Sequence, residues 1–292
     1  MKDKDIVRRF TFVDEPIRGQ LVTLDSSWQQ ILDRCDAGTF AKTLLGHALA
    51  AVSLLASTLK FDGSITLQIK GKGPVNLLVV EATSSRTIRG IVHQSSTNVV
   101  ENSPLSEVFG ADKMVVTINS GKGRPYQGIV PLSGHNLSEA LITYFENSEQ
   151  LQTHIWLAAN EQTASGLLIQ KMPNGETHDE DAWERVLQLS NTIQPEELLE
   201  LDSEKIVYRL FHEENVKIFE EQNLSFYCSC SRDRTDTMLI TLGKPEIQQV
   251  LAEQGEISIQ CDFCNEMYRY DAIDVETLFI NNLVESDENI HH

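Results

Sequence analysis

Positive charge is what this chain has least of: 24 Lys and Arg stand against 43 Asp and Glu, a net charge of −19 over 292 residues. The deficit is not uniform. Residues 1–174 hold 16 acidic and 16 basic side chains, whereas residues 175–292 hold 27 and 8, so the whole imbalance lies in the C-terminal part. Such a segment repels phosphates and anionic lipid, which argues against nucleic acid and membranes as partners. It also repels itself, which weakens any compact state that it forms. Long apolar runs are missing too. The longest, residues 44–59, is interrupted by Gly46, His47, Ser53 and Ser57 and reads as a buried helix rather than a membrane span. The opening MKDKDIVRRFTFVDE is charged throughout and lacks the apolar centre of a signal peptide, so the expected location is cytoplasmic. GKG occurs twice, but neither copy has the spacing of a phosphate-binding loop. The histidines are scattered and form no Cys–His–acid arrangement, so an enzyme is not expected.

What is present suggests a soluble α+β protein with 41% hydrophobic residues. SSWQQILDRCDAG reads as a short helix stopped by Gly38, and residues 40–60 as a long apolar helix central to a core. Period-two patterns follow in GSITLQIKGKGPVNLLVVEA and TIRGIVH. KMVVTINSGKGRPYQGIVPL predicts a hairpin, NLSEALITYFENSEQ an amphipathic helix, and THIWLAANEQTASGLLIQKMP two more strands. Helices and hairpins mix without regular strand–helix alternation, which favours α+β over a doubly wound sheet.

Three regions are expected: an N-terminal core at 1–174, an acidic helical linker at 175–227 after the turn cluster Pro173-Asn174-Gly175, and a small C-terminal module at 228–292. In the linker, DEDAWERVLQLSNTI puts Trp183, Val186, Leu187 and Ser190 on one helical face, and SEKIVYRLFHEE places Ile206, Leu210 and Phe211 likewise. Pro195 stands where a first helical residue belongs. Helices this short are unstable alone in water, so each must lean on a neighbour.

The C-terminal module carries four of the five cysteines, as CSC (Cys228, Cys230) and CDFC (Cys261, Cys264), 30 residues apart. Two close thiol pairs can converge on one ion, and a four-sulfur zinc site is the leading reading. Iron–sulfur ligation and a plain disulfide pair remain open on spacing alone. Arg232, Arg234 and Arg269 lie near the motifs and are candidates to offset a tetrathiolate charge. Cys35 lies outside the motif and reads as a small residue in a short helix.

The CSCSRDR…CDFC module resembles the redox switch of the heat-shock protein 33 family of redox-regulated chaperones. LKFDGSITLQIKGKGPVNLLVVEA, YQGIVPL, SEQL, EELL and HEE are similar, in the same order, to that family's core and linker segments. The resemblance runs from about RGQLVT to DAIDVETL. It implies an ATP-independent holdase that is inactive while Cys228, Cys230, Cys261 and Cys264 bind one Zn2+. It also implies oxidation to two disulfides, Cys228–Cys230 and Cys261–Cys264, with zinc release, unfolding of linker and module, binding of unfolding client proteins, and a homodimer in the oxidised form. Neither local disulfide ties the two pairs together, so the module can open; a cross-pair such as Cys230–Cys261 would hold it shut. Melting of the neighbour on which the linker leans would expose Trp183, Leu187, Leu210 and Phe211 as client-binding surface flanked by charge. The rival classes are a zinc-ribbon interaction protein with purely structural zinc and a thiol oxidoreductase.

Overall fold

The chain begins with an antiparallel pair, β1 (Ile6–Phe12) and β2 (Ile17–Leu24), which periodicity alone does not reveal because β2 is buried almost throughout. The helix α1 (Ser26–Leu32) and the apolar α2 (Thr39–Ala56) follow. The computed structural model describes all residues except 1–3, 59–61, 97–102, 122, 174–177 and 289–292, so the expected continuation of α2 to residue 60 and the turn residues Asn174 and Gly175 lie partly outside the described residues. Next come β3 (Ser64–Lys70), β4 (Val75–Thr83), β5 (Thr87–Gln94), α3 (Leu105–Phe109), β6 (Lys113–Asn119), β7 (Tyr126–Pro131), α4 (Leu137–Tyr144), β8 (Thr153–Ala159) and β9 (Ala164–Lys171). The helices α5 (Ala182–Ser190), α6 (Pro195–Glu200) and α7 (Ser203–Phe211) lead to three very short strands, β10 (Val216–Ile218), β11 (Gln222–Asn223) and β12 (Ser225–Phe226). The architecture is α+β. The chain divides into two compact units, Met1–Tyr227 and Cys228–His292.

The first unit has two six-stranded sheets. One runs β10-β1-β2-β9-β8, with β11 also pairing β1; the other runs β12-β5-β4-β3-β6-β7. The expected hairpins are there: β3 with β4, β6 with β7 and β8 with β9, all antiparallel. The helix α2 packs against strands of both sheets, and 72% of its length is buried. It is long and apolar enough to cross a membrane, yet it is the core helix. Its side chains Leu45, Leu49, Val52 and Leu54 share one cluster with Val7, Val22, Leu67, Val80 and Leu168.

The first sheet packs on both faces, because alternate side chains of its strands feed two different clusters. Val22 and Leu168 face the α2 cluster. Leu21, Leu167 and Ile169, with Phe10, Phe12 and Ile17, form a second cluster with Trp183, Val186, Leu187, Leu198, Ile206, Leu210 and Phe211. The segment expected as a linker therefore lies within the first unit, and the neighbour on which its helices lean is this sheet. The match is physical: the helical faces are apolar, the sheet offers an apolar face, and short helices need such a partner. Polar ties reinforce the dock. Arg185 donates to Asp179 at 2.7 Å and to Glu214 at 2.6 Å, and the backbone amides of His178 and Asp179 donate to the Glu15 carboxylate at 3.1 and 2.8 Å. The Gln194 amide donates to Glu197 at 3.0 Å, closing the start of α6.

His47 on α2 makes stability depend on pH. Burial pushes its imidazole down from 6.5 to about 4. Above pH 6.5 the ring is neutral in the folded and unfolded chain alike. As the pH falls below that value the unfolded chain takes up a proton that the folded one refuses, so stability drops until the folded ring titrates near 4. The gap is worth about 3 kcal/mol. Urea midpoints at pH 7 and pH 4.5 should differ strongly for the native chain and less for His47→Leu; an identical drop in both would assign the pH dependence elsewhere.

The second unit contains α8 (Arg232–Leu242), α9 (Lys244–Gln254), the hairpin β13 (Ile257–Gln260) with β14 (Met267–Tyr270), and α10 (Ala272–Glu288). Gly255 ends α9 in the left-handed region at φ 82°, as the sequence pattern requires. Among the described side chains its core is six residues: Leu239, Ile247, Ile257, Tyr270, Val275 and Phe279.

Candidate metal centre

Two local structures deliver the four thiols. Cys228 and Cys230 lie on the extended chain just before α8, whose first turn is capped by Ser231 accepting from the Arg234 amide at 3.3 Å. Cys261 and Cys264 lie on the tight turn that joins β13 to β14. That turn is closed by the Cys261 amide donating to the Glu266 carbonyl at 2.9 Å and the Asn265 amide to the Cys261 carbonyl at 2.8 Å. Asn265 has φ 62°, a left-handed conformation that Asn tolerates better than most residues.

All four sulfurs lie within 4.8 Å of one another. Cys228 Sγ is 3.6 Å from Cys261 Sγ, and Cys230 Sγ is 3.3 Å from Cys264 Sγ. A tetrahedral ion with metal–sulfur bonds of about 2.3 Å has sulfur–sulfur edges of about 3.8 Å. The donor set is close to that of one tetrahedral thiophilic ion, and the four cysteines could hold a metal ion.

The sulfurs also receive amide donors: Phe263 and Cys264 point at Cys261, Glu266 at Cys264, and Cys230 at Cys228. Burial pushes the Cys261 and Cys264 thiols up, more than those donors lower them. At Cys228 burial acts in the same sense but the hydrogen bonds from Cys230 and Cys261 outweigh it, and the thiol lies below its ordinary value. Four thiolates this close repel one another, so they do not all ionise without a cation among them.

Tyr268 completes the cluster. Its hydroxyl donates to Cys230 Sγ at 3.2 Å, and that bond holds its own proton well above the ordinary phenol range. Such a donor orients and steadies a ligand sulfur. The three arginines near the motifs have partners of their own. Arg232 pairs with Asp274 at 3.1 Å and stacks over the Tyr270 ring at 4.3 Å, Arg234 donates to Ser229 at 2.7 Å, and Arg269 pairs with Glu256 at 3.4 Å. Cys35 packs partly buried against the α2 core, and burial pushes its thiol up, the setting of an unreactive cysteine.

Trp183, Leu187, Leu210 and Phe211 are brought together, buried against the outer face of the first sheet. Tyr270 ties the small core to the thiol-bearing segment: it is 1% exposed and its hydroxyl donates to Asp236 at 2.7 Å. Tyr270→Phe should cost about 1–2 kcal/mol and speed metal loss to a competing chelator about tenfold. An unchanged loss rate would separate this core from the site.

A core unit followed by a compact unit with four converging thiols defines a two-unit protein with a candidate metal centre. The Hsp33 protein family model matches residues 5–271. A 33 kDa chaperonin of Nitrosococcus oceani is 45% identical over 279 residues, covering 96% of each chain. That of Methylobacillus flagellatus is 41% identical over 295 residues and the full length of both. The crystal structure of a 33 kDa chaperonin from Thermotoga maritima superposes with a TM-score of 0.83, covering 96% of this chain and 99% of that one at 22% identity, which shows a shared fold. The chain belongs to the Hsp33 family, and its function is that of a chaperone.

Proposed function

We propose that this chain is a redox-regulated, ATP-independent holdase, inactive while Cys228, Cys230, Cys261 and Cys264 hold a zinc ion and active once their sulfurs are oxidised. The observation that carries the reading is the convergence of four sulfurs within 4.8 Å in a unit whose core, among the described residues, is six side chains. When bound, zinc would keep the sulfurs as thiolates and cross-link the two pairs, supplying about 10–16 kcal/mol to a small fold that has little else.

Thiolate is the form that oxidants attack. Hydrogen peroxide takes two electrons from a pair of thiolates, forming one sulfur–sulfur bond and, with two protons, two waters; a second peroxide converts the second pair. The pairing that frees the unit is Cys228–Cys230 with Cys261–Cys264, because neither bond spans the 30-residue gap. Disulfide sulfurs are poor metal ligands, so the two halves lose their tie. The strands β11 and β12, two residues each, are short attachments of the segment that enters this unit. Their release would loosen α5–α7 from the sheet and expose Trp183, Leu187, Leu210 and Phe211 to unfolding clients, with the acidic segment keeping the complex soluble. The reading includes a homodimer in the oxidised state, a cytoplasmic location, and neither nucleic acid nor membrane as partner.

The test adds peroxide under mild heat to the zinc-loaded chain. Zinc release to a colorimetric chelator and suppression of client aggregation should rise together. Peptide mapping by mass spectrometry should find the two local disulfides; a dominant Cys230–Cys261 cross-pair in the active form would refute the opening step. A chain equally folded and equally idle after losing its metal would refute the whole reading.

A further inference from the structure

Most arginines with a described side-chain partner in this acidic chain have a carboxylate. Arg8 pairs with Glu204 and Glu221, Arg89 with Glu81, Arg185 with Asp179 and Glu214, Arg209 with Glu197, and Arg232 with Asp274. One cationic cluster on the first sheet does not follow this pattern. Lys217, Thr11, Arg18 and Gln170 stand in register across β10, β1, β2 and β9, and Arg9 stands opposite Gln20 on the next rung of the same face. Among the described residues Arg9, Arg18 and Lys217 make no ion pair. Arg18 is partly buried, and its guanidinium donates only to the neutral carbonyl oxygen of Gln170, through Nε at 3.0 Å and through Nη2. Burial, and then the neighbouring charge of Arg9, hold the Arg18 guanidinium below its ordinary range.

This face lies beyond the C-terminal end of α2, where Ser57 bonds to the buried Gln20. Arg9 and Arg18 line an open cavity of about 460 Å³ there, walled also by Thr11, Pro16, Met172 and Phe219; Phe10, Phe12 and Ile17 border it but bury their side chains in the cluster on the other face. Its volume falls in the lower part of the range of small-molecule sites. Lys217 sits 5.3 Å from the centre of the Phe219 ring beside it. Among the described residues one acid, Glu15, also lines the cavity; one oxygen of its carboxylate accepts from the amides of His178 and Asp179, and the other is buried without a hydrogen-bond partner. The end of α2 contributes only the partial negative charge of a helix dipole against these cations. Arg9 and Arg18 repel one another, and an anion that joined both would offset that cost.

We propose that this cavity binds a small organic anion, a phosphate or carboxylate on an apolar or aromatic body, with Arg9 and Arg18 pairing the oxyanion and Phe219 packing on the body. Arginine suits this role because its planar fork matches both oxyanions. The site is separate from the thiol cluster, so it stands or falls independently of the redox reading.

Titration calorimetry on the full, reduced, metal-loaded chain tests it, with phenyl phosphate, benzoate and inorganic phosphate as probes in chloride at matched ionic strength. One-to-one saturable binding of phenyl phosphate or benzoate is expected, and the stronger of the two identifies the head group. Arg9→Gln and Arg18→Gln should each weaken it about tenfold or more. Phe219→Ala should weaken the aromatic probes and leave inorganic phosphate unchanged. Arg9 is exposed, so its variant keeps the fold, and a melting curve without ligand checks both. No saturable binding of any probe up to about 10 mM, or equal binding by both arginine variants and the native chain, overturns the proposal.

Discussion

Cys261→Ser combined with Cys264→Ser should leave Cys228–His292 without fixed structure while Met1–Tyr227 keeps its own. The first unit has a large core built on α2 and both sheets. The second has six core side chains among the described residues, a hairpin of two four-residue strands, and helices α8 and α9 that are largely exposed. A small core of this kind is marginal without a staple. Two serines leave a site with two thiolates, too few to retain a structural ion, and remove about 10–16 kcal/mol of folding energy at neutral pH. Amide exchange read by mass spectrometry gives the answer segment by segment. Peptides of β13, β14 and α9 should exchange at the rate of an unfolded chain, and those of α2 and β9 should stay protected. Continued protection of β13 and β14 in the double variant would mean that the small core folds unaided, and the switch would then need another source of energy.

How far residue spacing reaches is visible in the same elements. The α5 face of Trp183, Val186, Leu187 and Ser190 is the buried face, because helical period fixes which side chains share a side. The same holds for Ile206, Leu210 and Phe211 on α7. What period cannot give is the surface that the face meets. That surface is β1, β2 and β9, strands far apart in the chain whose pairing no single strand's own pattern records. The strands β10, β11 and β12 are too short to carry any pattern, and their pairing is set by the strands that they join. The helix α8, RDRTDTMLITL, buries only Leu239 and therefore shows no stripe. At the site, thiol spacing marks the four cysteines, because convergence on one ion demands close pairs. It does not mark Tyr268, whose reach to Cys230 depends on where β14 lies against the preceding segment. Nor does it show that Arg232 and Arg269 pair with carboxylates and that Arg232 stacks over the Tyr270 ring.

Phe211→Ala should turn the reduced protein partly active without any oxidant. Phe211 is 2% exposed, with its ring 5.8 Å from that of Phe10 and 5.1 Å from that of Phe12. It is the last residue of α7, where the helical segment gives way to the short strands. Removing a buried phenyl ring costs about 3–5 kcal/mol through lost transfer energy and the cavity left behind. That loss falls on the contact between α7 and β1, not on α2, whose packing partners are on the opposite face of the sheet. A local contact weakened by this amount opens about a hundredfold or more often, and what it exposes is Phe10, Phe12, Leu210 and Trp183 beside an acidic segment. The reduced, metal-loaded variant should therefore slow client aggregation where the native chain does not, while releasing no zinc. Leu210→Ala should act in the same direction through the same cluster. Tyr208→Ala should not, because Tyr208 is on the same helix but 74% exposed. A Phe211→Ala chain that is destabilised in urea yet remains idle toward clients until oxidised would show that this face is structural only, and that clients are held somewhere else.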